Sequence, residues 1–324
     1  MNLKEKRTLQ FELWQECNNL CTFCYLGKEN RKTPDSIKIE ALQRVIDIVS
    51  DMTNYPKFNC IGLIGGEFFQ GQLKNLAVKA LFYKLIDKIS ELYNNGTIEE
   101  FWVSATLTIG KQKELYEILG KFKDTKNVWV VTSWDAVGRF KTKKMLDNWE
   151  YHVKHLREVY PDLKVNCCIV LSGVLIEKYL SGEFGTFGEF ALKHDISLFF
   201  KQPSPFVNLE KDTLKNRIIS IKASNEVIPN FHPTRKKFLE FLIKFKNQES
   251  ENLWGRLFNV QYRSDELIRS LNNGTVSDTI REKNKMGSED DMPLQKCGHT
   301  VNYMPYCDEV RCCICDKLKI GSFS

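Results

Sequence analysis

Residues 8–24 read TLQFELWQECNNLCTFC. The run Thr8–Trp14 predicts a strand ending in a polar loop that carries Cys17, Cys21 and Cys24 in the spacing Cys-x3-Cys-x2-Cys. Three thiolates on so short a loop can grip three corners of an iron–sulfur cube, because soft sulfur ligands favour Fe–S clusters or zinc over hard cations. Three is the informative count. A structural zinc or an electron-transfer cluster takes a complete ligand set, whereas a site one ligand short keeps a metal position open for a substrate.

Outward from this loop, apolar runs alternate with helical patterns. Residues 38–53 place Ile39, Leu42, Val45, Ile46 and Val49 on one helical stripe. FNCIGLIG (58–65) is a continuous apolar run, as a strand buried on both faces requires. A helix is expected over about 74–94, a strand over 101–109 and a helix over 111–122. Strand 127–133 precedes a helix over about 140–159, strand 163–172 a helical stretch near 174–194, and the last strand is 196–202. Such alternation implies a parallel sheet with right-handed crossovers. Sheets of this kind place their chemistry at the carboxyl ends of the strands. Residues 17–24, 65–67 and 133–135 all fall at those positions.

Beyond residue 203 the alternation stops. Phe238, Phe241, Leu242 and Phe245 form a helical stripe, and the polar stretch 272–293 reads as a loop. The expected division is a core of 1–203, a helical extension of 204–271, and a linker with a Cys-rich tail over 272–324. The chain has 324 residues and 42% hydrophobic content, enough for a sizeable core. Its formal charge of +6 is spread through mixed-sign stretches rather than gathered in a basic stripe. No run of about 18 apolar residues occurs, so no membrane span is expected. The charged start, MNLKEKRTLQ, lacks the apolar core of a signal peptide, which leads us to expect the cytoplasm. In that reducing setting the 11 cysteines are free thiols or metal ligands. Cys60, Cys167 and Cys168 lie in apolar runs and read as core residues.

The motif Cys17-x3-Cys21-Thr22-Phe23-Cys24 resembles the hallmark of the radical S-adenosylmethionine superfamily, in which an aromatic residue precedes the third cysteine at the end of the first strand. The resemblance covers roughly residues 8–203. It implies a partial (β/α)6 barrel, a [4Fe-4S] cluster on Cys17, Cys21 and Cys24, and S-adenosylmethionine chelated to the unligated iron. It further implies an electron donor such as flavodoxin or ferredoxin, and a 5′-deoxyadenosyl radical that abstracts hydrogen from a substrate. Gly65-Gly66-Glu67 corresponds to the family's segment for the amino group of S-adenosylmethionine. Phe68 stands where the family often has Pro, which changes the turn that follows. Ser133, Asp135 and Asn166 resemble positions that hold the rest of the cofactor. Ser104, Thr106 and Gln202 are candidates to face the substrate.

The tail gathers Cys297, His299, Cys307, Cys312, Cys313 and Cys315 in polar surroundings. Cys297, Cys307, Cys312 and Cys315 could bind a tetrahedral zinc that staples a poorly cored segment. An auxiliary Fe–S cluster is the competing reading. The spacing departs from the SPASM pattern of peptide-modifying members. A peptide substrate is nonetheless slightly favoured over a nucleoside or nucleic acid, by analogy with relatives that carry extra domains at this place. The alternative from another class is a non-catalytic, zinc-stabilised module that binds nucleic acid.

Overall fold

A computed structural model of the protein describes residues 8–19, 21, 32–52, 58–135, 138–170, 172–182, 190–191, 193–201, 237 and 240–241, and the strands 301–304, 309–312 and 319–321. Five helices and nine strands lie in these residues, the first six strands alternating with the helices: β1 (Thr8–Glu12), α1 (Asp35–Ser50), β2 (Cys60–Ile64), α2 (Leu76–Asn94), β3 (Glu100–Ser104), α3 (Lys113–Leu119), β4 (Val128–Trp134), α4 (Lys143–Val159), β5 (Lys164–Val170), α5 (Gly173–Ser181) and β6 (Ile196–Lys201). Each strand from β1 to β5 pairs in parallel with the next in sequence. That sequential order agrees with the expected wall of a β/α barrel, since a doubly wound sheet would reverse direction partway.

Period-2 patterning divides the sheet's two faces. Leu9 and Phe11 of β1, Phe101 and Val103 of β3, and Val128 and Val130 of β4 are buried in one apolar cluster. Helix α1 adds Ala41, Leu42, Val45, Ile46 and Val49 to the core, and α2 adds Val78, Phe82, Leu85, Ile86 and Ile89. At about 1.5–3 kcal/mol for each large apolar side chain buried, this face holds the fold together. Gln10, Trp102, Ser104, Trp129, Val131, Ser133 and Asn166 occupy the other face and stay partly exposed. The expected core cysteines Cys60, Cys167 and Cys168 are indeed buried.

The helix ends follow local chemistry. Asn75 caps α2 through the backbone N–H groups of Ala77 and Val78. Thr142 caps α4 and Ser172 caps α5. The helical stretch expected near 174–194 is not a single helix: α5 stops at Gly182, whose left-handed φ of 90° forms a C-cap. Strand β3 also ends at Ser104, short of the expected Ile109. Thr106 gives its N–H to a side chain, and Leu107 takes a positive φ of 59°.

The tail provides a feature that the sequence pattern did not announce. Strands β7 (Val301–Met304), β8 (Glu309–Cys312) and β9 (Lys319–Gly321) prolong the same sheet, in the order β6-β5-β4-β3-β2-β1-β7-β8-β9. β7 runs parallel to β1, pairing Leu9 with Val301 and Phe11 with Tyr303, and β8 and β9 follow antiparallel. Of the expected helical extension, Lys237, Glu240 and Phe241 are described. Phe241 packs edge-on against Tyr179 of α5, with ring centroids 4.9 Å apart.

His152 of α4 bridges two other elements. The Ile109 carbonyl lies 2.9 Å from its Nε2, so that nitrogen carries the proton, and Nδ1 is left to accept from the Tyr116 hydroxyl at 3.2 Å. Burial is the main cause that holds its pKa below the ordinary value. The neutral form is therefore the folded form. The stability His152 contributes is complete above its unfolded pKa of about 6.5 and is lost as pH falls through the lower folded value. Urea unfolding at pH 7.5 and pH 5.5 checks this: the wild type should lose more stability on acidification than His152→Gln.

Candidate metal and cofactor site

The site begins where β1 and β2 leave the sheet side by side. Leu13 donates its N–H to Ile64 O (3.0 Å), Gly66 to Trp14 O (2.8 Å) and Glu67 to Glu16 O (2.8 Å). The Trp14 indole returns a bond to the Glu67 carbonyl at 2.9 Å. Trp14 itself is fully buried and meets Phe68 edge-on at 5.0 Å. Phe68, where the related family often has Pro, thus supplies a core contact. The glycines have a structural cause in the chain itself. A Cβ on Gly65 would lie 2.5 Å from Trp14 O, and one on Gly66 would lie 2.2 Å from Glu16 O. Any side chain there would push away the backbone that delivers Cys17.

Glu67 is 2% exposed, and its carboxylate is engaged on both oxygens. Oε1 accepts from Phe68 N (2.9 Å) and Phe69 N (3.0 Å), and Oε2 accepts from Thr106 N (2.7 Å). Backbone amides are the usual compensation for a buried carboxylate. Here they join the turn after β2 to the chain leaving β3. A carboxylate offers about four acceptor sites, so three donors leave about one for a ligand.

Gln70 carries this network into the cysteine loop. Its Oε1 accepts from Asn18 N (3.2 Å) and its carbonyl from Asn18 Nδ2 (3.0 Å). Its Nε2 lies 2.5 Å from Asn19 Oδ1, 3.0 Å from Thr106 Oγ1 and 2.9 Å from Thr108 Oγ1. Thr108 also donates to Asn19 Oδ1, at 2.8 Å. On the other side of the loop, Lys38 of α1 is buried, with Nζ 2.5 Å from Glu16 Oε2 and 3.2 Å from Asp35 Oδ1. Both residues between the ligand candidates that the structure describes are therefore pinned. Cys21 is buried and Cys17 half-buried.

Asp135, just past β4, is 1% exposed and accepts from Gly138 N at 3.1 Å. Arg139 follows, partly exposed as a residue yet with Nε enclosed. Burial works against its charge, but attraction to the ionised forms of Cys21, Asp135, Cys168 and Cys17 outweighs this and carries its pKa above the ordinary value. Ser104, Val131 and Asn166 align across three strands, and Ser133 pairs with Cys168 further along. The partly exposed face thus holds Ser104, Ser133 and Asn166 on adjacent strands, with Asp135 past the end of β4.

Phe23, Cys24, Cys297, Cys307, Cys315 and Gln202 lie outside the described residues, and Cys312 is described only as part of β8. Among the described residues, no group of three or more His, Cys, Asp or Glu side chains could hold a metal ion. Thr106, expected as a candidate to face the substrate, is buried and joined to Glu67 and Gln70. The sequence reading missed Lys38, Asn19, Gln70 and Thr108. Only Asn19, inside the cysteine spacing, had a motif that could have drawn attention to it.

No family model matches the chain, and no curated protein matches it. Among solved structures, it is similar to the crystal structure of Streptococcus suis SuiB bound to S-adenosylmethionine, at 13% identity with a TM-score of 0.44. The match covers 94% of this chain and 57% of SuiB, so the chain spans little more than half the length of that protein.

Glu67→Gln replaces one acceptor oxygen with an NH2 group that must face a backbone N–H. A hydrogen bond to a charged group contributes about 1.5–3 kcal/mol, so the variant should lose about that much stability in urea, with or without any cofactor. A denaturation midpoint equal to that of the wild type would show that the carboxylate does not hold the loops together.

Proposed function

We propose that the protein is a radical S-adenosylmethionine enzyme. The supporting observation is the position and anchoring of the cysteine loop. Cys17 and Cys21 follow the carboxyl end of β1, and hydrogen bonds from the turn after β2 hold the loop. The donor set also fits a cluster. Sulfur ligands suit iron, and Asn19 Nδ2 is an enclosed donor with no hydrogen-bond acceptor among the described residues. Arg139, which interacts electrostatically with Cys21 and Cys17, would offset the charge of thiolate ligands there.

In this reading Cys17, Cys21 and Cys24 bind a [4Fe-4S] cluster, with Phe23 beside it. The turn Gly65-Gly66-Glu67 presents its backbone and the remaining acceptor site of Glu67 to the ammonium of S-adenosylmethionine. Ser133, Asp135 and Asn166 line the rest of the cofactor's site. When bound, the reduced cluster supplies the electron that splits S-adenosylmethionine into methionine and a 5′-deoxyadenosyl radical, which takes hydrogen from the substrate. The chain's own contribution is to hold the loop, orient the cofactor and exclude water. A ferredoxin- or flavodoxin-like protein delivers the electron, and a peptide or protein is favoured slightly over a nucleoside or nucleic acid as the substrate. Cys297, Cys307, Cys312 and Cys315 bind a second metal in the tail, zinc or iron.

The test is anaerobic reconstitution followed by iron and sulfide analysis and assay of 5′-deoxyadenosine. The wild type should bind iron and sulfide and cleave S-adenosylmethionine slowly when reduced. Changing Cys17, Cys21 and Cys24 together to Ala should abolish both. Product formation that survives the triple change, or zinc as the sole metal of the wild type, would rule the reading out.

The tail offers a separate check. Changing Cys312, Cys313 and Cys315 to Ser should leave the first cluster and uncoupled cleavage intact while abolishing turnover of the true substrate. Metal analysis before and after the change then identifies the tail metal. Collapse of uncoupled cleavage would show that the two metal sites form one unit.

A further inference from the structure

Asn19 is two residues from both Cys17 and Cys21, and hydrogen-bond logic fixes the orientation of its amide. The backbone N–H of Asn18 can only donate, so the Gln70 atom facing it at 3.2 Å must be the oxygen. Nε2 of Gln70 must then face Asn19, whose oxygen is the only side-chain atom able to accept from it. The Thr108 hydroxyl donates to the same oxygen. Flipping the Asn19 amide would set its NH2 against the Gln70 NH2. The Asn19 nitrogen is thereby turned away from every partner that holds the side chain. It is enclosed, in a residue 4% exposed, and finds no acceptor among the described residues.

An enclosed N–H group without an acceptor costs about 1–3 kcal/mol. The surrounding structure does not allow the amide to turn and avoid that cost. A group bound at the middle of a Cys-x3-Cys loop would bring sulfur, a hydrogen-bond acceptor, to this position. We infer that Asn19 Nδ2 donates a hydrogen bond to a sulfur of the cluster held by Cys17 and Cys21, and that Gln70 and Thr108 orient it for that role. The inference rests on the radical S-adenosylmethionine reading. Hydrogen bonds to cluster sulfurs stabilise the more negative, reduced state and so raise the reduction potential. Asn19 therefore makes the cluster easier to reduce, and Gln70 acts through it as a positioning residue.

The experiment uses the full chain, reconstituted anaerobically, and measures iron, sulfide and the potential of the cluster in a redox titration without substrate. Asn19→Leu removes the donor. Asn19→Thr also removes the amide nitrogen but keeps a neutral oxygen toward Gln70 and Thr108, so it remains informative if the leucine variant folds poorly. Both variants should keep the cluster. At a poise fixed at the wild-type midpoint, the ratio of reduced to oxidised cluster should fall about 5- to 10-fold. For a one-electron couple that corresponds to about 40–60 mV. An unchanged potential in Asn19→Leu would overturn the inference while leaving the enzyme reading intact. Loss of iron from both variants would also overturn it, since a tuning donor leaves ligation untouched. A wild type without iron or sulfide would remove both readings, through a different measurement.

Discussion

The carboxylate of Glu67 is the interaction on which the upper rim of the sheet depends. A charged group 2% exposed is tolerated only when several donors replace water, and here three backbone amides do so. Those amides come from two different strand exits. Thr106 leaves its ladder to reach Glu67, which is why β3 stops at Ser104. The backbone of Glu67 is bonded in turn to Glu16 and to the Trp14 indole. One acidic residue thus joins the ends of β1, β2 and β3 into a single body.

Residues 16–19, the described start of the cysteine loop, are tied to that body. Asn18 and Asn19 are anchored through Gln70, and Glu16 through the buried Lys38. A loop held at both its amide and its side-chain groups has little entropy left to lose when it gathers a ligand. Arg139, past the end of β4, interacts electrostatically with Cys21 and Cys17 and would offset the negative charge of thiolates there. The rim therefore combines fixed backbone donors, a guanidinium and two cysteines in one region.

The tail bears on the same region through the sheet. β7 covers the edge of β1 that would otherwise offer unpaired N–H and C=O groups to another chain. β1 consequently has a partner on each side, β2 and β7, and its exit toward Cys17 is constrained by both. The tail strands turn antiparallel at β8.

The sequence by itself determined the features whose causes are local. Apolar periods of 2 and 3.6 located β1 to β6 and the helices between them, because each period reports which side of one segment faces the core. The spacing of Cys17, Cys21 and Cys24 and the place of Gly65-Gly66-Glu67 at a strand end were legible for the same reason. Tertiary structure alone decided what those residues do. Gly66 faces the Glu16 carbonyl, and Glu67 reaches Thr106 across 39 positions. Gln70 meets Asn19 across 51, and no periodicity in either segment records that meeting. The pairing of β7 with β1 joins opposite ends of the chain. Backbone hydrogen bonds make that pairing, and they draw on no particular side chains, so the sequence carries little trace of it.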